Sequence, residues 1–378
     1  MAGHGTLRDL LEILTFQAGY NTAVVLAGAT MLGAAAGLVG AVVLLRKRAL
    51  MSDSISHSTL PGVGLAFLAG IALGGTGREM PLLMAGAALT AALGVLSVQW
   101  IRVNTRLGED AAIGTVLSVY YGAGIVLMSV IQGLDVGSQA GLNGFLLGAV
   151  ASLRLTEAWT IAAVSGAAIL ITLLVLKELL MMCFDREFAA AGGWPVGLLD
   201  LLLMGLLLTI VSVGLKTVGM VLIIAIVIIP AVAARFWTNR AGRLLGVAAG
   251  IGAASAMIGV SISAIVPHAP TGAIIVLTAG GFFALSMAFG RARGLAFSAV
   301  RILVWRFRVW DCQILGQARG GSPVEGWRGL LFRLRGLVDG RGHLTARGAA
   351  RAAHAEADLL DLDPWHMMAN PPRREEPA

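Results

Sequence analysis

Long apolar runs separated by short polar connectors occupy most of the chain between residues 20 and 290. A bilayer core of about 30 Å requires about 20 apolar residues in a helix, and this pattern predicts nine membrane-spanning helices. They cover residues 22–45, 58–76, 80–101, 111–132, 158–177, 197–214, 218–236, 243–266 and 271–289. The stretch 198–234 counts as two of them because GLKTVG at residues 214–219 is typical of a tight turn. An odd number of spans places the two termini on opposite sides of the membrane.

Composition agrees with an all-α polytopic membrane protein. The 378 residues are 57% hydrophobic and 13% charged, against about 25% charged in soluble domains. There are 50 glycines, which is nearly twice the usual share of about 7%. Small residues let membrane helices approach closely, so we expect tightly packed spans.

Charge divides the sequence into unequal parts. Residues 1–290 hold 14 basic and 12 acidic side chains, whereas residues 291–378 hold 14 and 9. The net charge of +7 therefore belongs mainly to the C-terminal part. We predict three regions: an amphipathic N-terminal segment (1–20), a transmembrane domain (21–290) and a basic C-terminal extension (291–378). No secretory signal is evident in the first region.

Orientation follows from the basic residues in the connectors. If Arg46, Lys47 and Arg48 lie inside, ten of the 14 basic residues within residues 1–290 fall in inside connectors. The positive-inside rule then places the N-terminus outside and the C-terminus in the cytoplasm. We therefore predict a multi-pass protein of a bacterial inner (plasma) membrane, in contact with its lipids.

Asp53 and His57 stand out as ionisable residues beside the second apolar run. Their i,i+4 spacing places both side chains on one face of a helix. A carboxylate and an imidazole are half of a site for a divalent transition metal, and a second copy or a related subunit would supply the other half. In the alternative interpretation, Ser52 or Asp53 caps the helix and His57 bonds to a neighbouring helix. Pro61-Gly62 predicts a break in the helix behind the pair, tolerated only where it is packed or lines a cavity.

Four segments together carry a family resemblance. They are LLRKRALMSDSISHSTLPGVGLAFL (44–68), LGEDAAIGTVLSVYYGAGIVLMS (107–129), VGMVLIIAIVIIPAVAARF (218–236) and PTGAIIVLTAG (270–280). These segments resemble the permease subunits of the manganese, zinc and iron ABC importers, in the same order along the chain. The resemblance implies a fold similar to that of the cobalamin importer permease.

The resemblance also implies a function and partners. The expected protein is an ABC importer permease that moves manganese, zinc or iron into the cytoplasm and dimerises, with itself or a paralogue, around a central pathway. An extracytoplasmic metal-binding protein would deliver the ion, which is the substrate and not a cofactor. Asp53 and His57 match the family's metal-coordinating residues in that pathway.

ATP hydrolysis is expected in a separate cytoplasmic ATPase subunit. The sequence contains no GxxxxGK[ST] loop to cradle phosphates, so we do not predict an enzyme. The segment MCFDREFAAAGGW (182–194) is similar to the short helix with which this family contacts its ATPase. The residues predicted for that contact are Phe184, Asp185, Arg186, Glu187, Phe188 and Gly192. An ordinary polar connector is the alternative. Cys183 and Cys312 form no CxxC motif and are expected to be reduced or inert.

The C-terminal extension has a separate pattern. Residues 327–354 predict a helix, a turn, a short extended segment and a second helix capped by Thr345. This order weakly resembles the wing region of metal-dependent repressors, without a clear recognition helix, so we do not predict nucleic-acid binding. A regulatory or ATPase-docking role is our expectation. Two other functions stay open: a stand-alone ion-coupled metal transporter, and a membrane-anchored metal-responsive regulator.

Overall fold

The computed structural model describes residues 20–75, 79–133, 155–217, 219–266, 270–300, 302–303, 306, 332–333, 336–339 and 343–350. The chain divides into two units, residues 1–295 and 296–378. Eleven helices are described in the first unit. They are α1 (Tyr20–Leu45), α2 (Leu50–Ala72), α3 (Met80–Asn104), α4 (Glu109–Gln132), α5 (Leu155–Leu174), α6 (Leu176–Phe184), α7 (Arg186–Ala191), α8 (Val196–Thr217), α9 (Met220–Arg235), α10 (Ala241–Ile265) and α11 (Thr271–Phe289).

The predicted all-α membrane fold is confirmed. Within the described ranges, eight helices are long and apolar enough to cross a membrane: α1 to α5, α8, α10 and α11. The predicted span 218–236 forms a shorter helix, α9, of 16 residues, which measures about 24 Å at 1.5 Å per residue. Ile223 packs directly against Gly214, so the chain reverses between α8 and α9 as the turn motif predicts. Gly219 lies in this turn with φ 91°, a backbone conformation that favours glycine.

Helix α2 differs from the prediction in two ways. It begins at Leu50, eight residues before the predicted start at residue 58, and it continues through Pro61 without a break. The predicted interruption at Pro61-Gly62 is therefore wrong. Proline removes one helical N–H donor, and this single loss does not end a helix that packs along its length against α3 and α4.

Glycines allow the membrane helices to touch backbone to backbone. A methyl group on Gly62 of α2 would overlap the Gly86 carbonyl oxygen of α3, and one on Gly33 of α1 would overlap the Gly252 carbonyl oxygen of α10. These contacts confirm the close packing expected from the glycine content. Helix α2 is thereby held in a fixed position against α3.

In the second unit, the described residues include a small part of the predicted wing-like region. Val338 and Leu344 form an antiparallel bridge, and the Thr345 hydroxyl accepts a hydrogen bond from the Gly348 N–H at 3.1 Å. The predicted extended segment and Thr345 cap are thus confirmed. The predicted amphipathic segment 1–20, except Tyr20, and half of residues 327–354 lie outside the described residues.

Candidate functional site

Asp53 and His57 lie together on α2. His57 Nε2 is 3.2 Å from Asp53 Oδ1, and their side chains are 21% and 35% exposed, respectively. The capping alternative is wrong, because the residue preceding the helix is Ala49 and it makes no side-chain cap. The Ser52 hydroxyl donates instead to the Ala49 carbonyl oxygen at 2.9 Å. Neither Ser52 nor Asp53 therefore serves as the N-cap of α2.

The imidazole of His57 is held from the side by α4. The Tyr121 ring lies edge-on to it, with centroids 4.8 Å apart and an interplanar angle of 80°. His57 Nδ1 is buried without a hydrogen-bond partner among the described residues, so Nε2 is the nitrogen that faces Asp53. Tyr121 was not among the site residues predicted from the sequence. The available signal was an adjacent aromatic pair, Tyr120-Tyr121, inside the second family motif.

The distance between the two donor atoms suits a shared metal ion. Bonds of about 2.0–2.2 Å from nitrogen and oxygen to one divalent ion separate the donors by about 3.0 Å at right angles and about 3.4 Å in a tetrahedron. The observed 3.2 Å lies between these values. The separation of the two atoms is therefore compatible with binding to one ion.

By itself, the pair would be only part of a coordination shell. In the portion of the chain that the structure describes, no group of three or more His, Cys, Asp or Glu side chains is placed to hold a metal. Two ligands are fewer than the four that zinc takes or the six typical of manganese. Further ligands must come from another chain, from water or from undescribed residues.

A second group of charged residues lies at one end of the helices. We call it the Asp200 cluster, and its members are Arg46, Arg48, Arg102, Glu109 and Asp200. Arg48 donates to Asp200 Oδ1 at 2.7 Å, and Arg102 donates to Asp200 Oδ2 at 3.2 Å. Arg46 Nε is 3.6 Å from Asp200 Oδ1, and Glu109 pairs with both Arg48 and Arg102.

Asp200 lies near the start of α8. It is fully buried, with 0% exposure, because three guanidinium groups surround its carboxylate. One feature of the sequence could have identified Asp200: it is a lone acidic residue within an apolar helix, and such residues in membrane helices are functional candidates. Glu109 lies in the first turn of α4, and its ion pairs were not predicted from the sequence.

The predicted ATPase-contact segment forms two short helices, α6 and α7. The Asp185 carboxylate accepts a hydrogen bond from the Phe188 N–H at 2.9 Å and so caps α7. Phe184 and Phe188 are 73% and 65% exposed, and Arg186, Glu187 and Gly192 are exposed as well. Two exposed rings among charged groups form a surface suited to contact with another protein.

Cys183 lies at the end of α6, close to the Asp200 cluster. Burial raises the pKa of its thiol to about 11, and nearby Arg46 opposes that shift. The thiolate is the reactive form of cysteine, so a thiol that stays protonated at neutral pH is expected to be unreactive. This agrees with the inert role predicted for Cys183.

Comparisons with known proteins support the resemblance drawn from the four motifs. The chain is 40% identical over 296 residues to the manganese transport system membrane protein MntC of Bacillus subtilis (strain 168), covering 78% of this chain and 67% of that protein. It is 37% identical over 289 residues to the zinc transport system membrane protein TroC of Treponema pallidum (strain Nichols), covering 76% and 94%.

A solved structure agrees in fold. A structure described as PsaBC from Streptococcus pneumoniae in complex with Fab matches with a TM-score of 0.63 and 28% identity, covering 79% of this chain and 99% of that one. The ABC 3 transport family matches residues 20–290, which is more than half of the sequence. The chain therefore belongs to the ABC 3 transport family.

Proposed function

We propose that the chain is the membrane permease subunit of an ABC importer for manganese, zinc or iron. The observation that carries this proposal is the Asp53–His57 pair, two metal-binding side chains 3.2 Å apart on one face of a membrane helix. Ionisable groups in such helices are costly and mark transport pathways. Nitrogen and oxygen donors serve all three metals, since selectivity depends on geometry and availability.

The partial coordination shell supports a permease pair. Both side chains are partly exposed on a helix in which most residues are buried. A second permease copy, or a paralogue, would bring two more ligands and complete a four-ligand site between the subunits. An extracytoplasmic metal-binding protein would deliver the ion to this site.

In the orientation predicted from the basic residues of the connectors, the Asp200 cluster lies at the cytoplasmic face, together with α7. The cluster joins the end of α3 to the starts of α4 and α8, as expected when successive spans alternate in direction. With α9 as a seventh crossing, the N-terminus lies outside and the C-terminus in the cytoplasm of a bacterial inner membrane. This side is where an ATPase subunit would bind α7.

Uptake of metal by the permease together with its ATPase tests the function. We expect accumulation of radioactive manganese, zinc or iron in cells that express both subunits, and loss of accumulation when ATP is depleted. The ATPase should also copurify with the permease. Uptake that continues without ATP, with no ATPase recovered, would contradict the proposal and favour a stand-alone ion-coupled transporter.

Replacing Phe188 with alanine tests the proposed contact at α7. The ring is 65% exposed, so its loss leaves the core intact, while truncation of a central aromatic in an interface typically costs about 2 kcal/mol or more. We expect copurification of the ATPase to fall about tenfold or more, given 1.4 kcal/mol per factor of ten. Phe289→Ala is the matched control, since Phe289 of α11 is 59% exposed. Equal recovery of the ATPase with both variants would contradict the contact.

A further inference from the structure

The Asp200 cluster joins parts of the chain that are far apart in sequence. Arg46 and Arg48 belong to the turn between α1 and α2, Arg102 to the last turn of α3, Glu109 to the start of α4 and Asp200 to the start of α8. Asp200 and Arg48 are 0% and 3% exposed. Five helix ends are therefore held at one buried point.

Stability alone does not account for a cluster of this kind. Taking charges out of water costs free energy, and replacing a buried ion pair with apolar side chains is often neutral or stabilising. Three guanidinium groups here face two carboxylates, so one positive charge is in excess. A buried charged cluster is better explained by the specific arrangement of helices that it imposes than by its contribution to stability.

One arm of the cluster leads to α7 through a short, hydrogen-bonded linker. The Trp194 N–H donates to the Ala189 carbonyl oxygen at 3.1 Å, and the Val196 N–H donates to the Trp194 carbonyl oxygen at 2.8 Å. Asp200 follows in the first turns of α8. The linker thus connects α7 to the start of α8, where Asp200 lies.

The other arm leads to the proposed metal ligands. The Met51 N–H donates to the Arg48 carbonyl oxygen at 2.9 Å, so the turn containing Arg48 continues directly into α2. Asp53 lies five residues after Arg48, and His57 one turn further on. A continuous helix that begins two residues after Arg48 thus connects the cluster to the pair.

We propose that Arg102 and Asp200 are positioning residues that couple movement of α7 to the position of Asp53 and His57. Arg102 bridges the two carboxylates, since one of its nitrogens is 3.2 Å from Asp200 Oδ2 and another is 3.9 Å from Glu109 Oε2. It thereby fixes α8 relative to α3 and α4, which pack against α2. The inference rests on the proposed function, because it takes α7 as the ATPase contact.

The test is the amount of metal transported per ATP hydrolysed by the purified permease–ATPase complex in proteoliposomes. Arg102→Gln removes the bridge and balances the charges of the cluster, so the variant is expected to fold and to bind the ATPase. We expect the ratio of metal to ATP to fall about fivefold or more, the lower end of typical coupling between sites. Arg102→Lys keeps the positive charge and loses the forked hydrogen-bond donors of the guanidinium group. This variant should give an intermediate ratio of metal to ATP.

Arg106→Gln is the matched control, since Arg106 is exposed four residues further on. A reduced ratio for Arg102→Gln with a normal ratio for Arg106→Gln supports coupling, because a purely structural defect lowers the amount of complex and not the ratio. An unchanged ratio for Arg102→Gln overturns the inference and leaves the proposed function intact. If Arg102→Gln does not accumulate, a normal ratio for Arg102→Lys overturns it and a reduced one supports it. Failure of the wild-type complex to assemble would instead count against the proposed function.

Discussion

Asp53→Ala and His57→Ala are each expected to abolish metal uptake. Each variant leaves a single donor where two now lie 3.2 Å apart. Loss of an outer-shell partner of a metal ligand already costs about 10–100-fold in affinity or activity, so we expect loss of a ligand to lower uptake by at least about 100-fold. The measurement is uptake of radioactive manganese, zinc or iron by cells starved of metal, normalised to the amount of permease in the membrane.

Asp110→Ala provides the comparison for these variants. Asp110 is an exposed acid in the first turn of α4, and its replacement is expected to leave uptake near that of the wild type. Copurification of the ATPase should be equal in all variants, because neither Asp53 nor His57 lies in the α6–α7 segment. Growth under metal scarcity that is unchanged in both Asp53→Ala and His57→Ala would refute their assignment as ligands.

Asp200→Asn is expected to destabilise the permease strongly. The change removes a carboxylate that accepts hydrogen bonds from Arg48 and Arg102, and it leaves three guanidinium groups facing Glu109 alone. Removing one partner of a buried ion pair typically costs about 3–5 kcal/mol. The measurement is the free energy of unfolding of the wild type and of Asp200→Asn, each purified in detergent and titrated with denaturant.

Two further variants make this result specific to the cluster. Asp110→Asn changes an exposed acid and is expected to cost less than about 1 kcal/mol, the size of a helix-dipole contribution. Adding Arg102→Gln to Asp200→Asn removes one excess positive charge, so the double variant should be more stable than the sum of the single effects predicts. A cost below about 1 kcal/mol for Asp200→Asn would mean that its carboxylate is not the centre of the cluster.

Periodicity and length predicted the membrane helices well, because an apolar run of about 20 residues has few other stable arrangements. The errors are local. The prediction started α2 at residue 58 because Ser52, Asp53 and Ser54 look polar, yet the Ser52 and Ser56 hydroxyls donate to carbonyl oxygens of the preceding turn at 2.9 and 2.8 Å. Hydroxyl groups that bond in this way add little polarity to a helix. Hydropathy alone does not register such bonds.

The Asp53–His57 pair was predictable because its two residues lie four apart in the sequence. The Asp200 cluster was not predictable in this way, because its members lie far apart in the sequence. Asp200 and Arg48 are separated by 152 residues, and their contact depends on how α8 packs against the turn between α1 and α2. The same applies to Tyr121, which reaches His57 only because α4 lies beside α2. The positive-inside rule used only the charge of Arg46, Arg48 and Arg102 to orient the chain. A count of charges does not predict which acidic residues they pair with.

Binding of the transported metal by Asp53 and His57 underlies the proposed function. Its most direct test is the metal content, by mass spectrometry, of the purified nucleotide-free permease–ATPase complex after equilibration with manganese, zinc or iron. We predict about one tightly bound ion per permease pair in the wild type, as a four-ligand site requires, and almost none in His57→Ala. The same metal content in the wild type and in His57→Ala would contradict it.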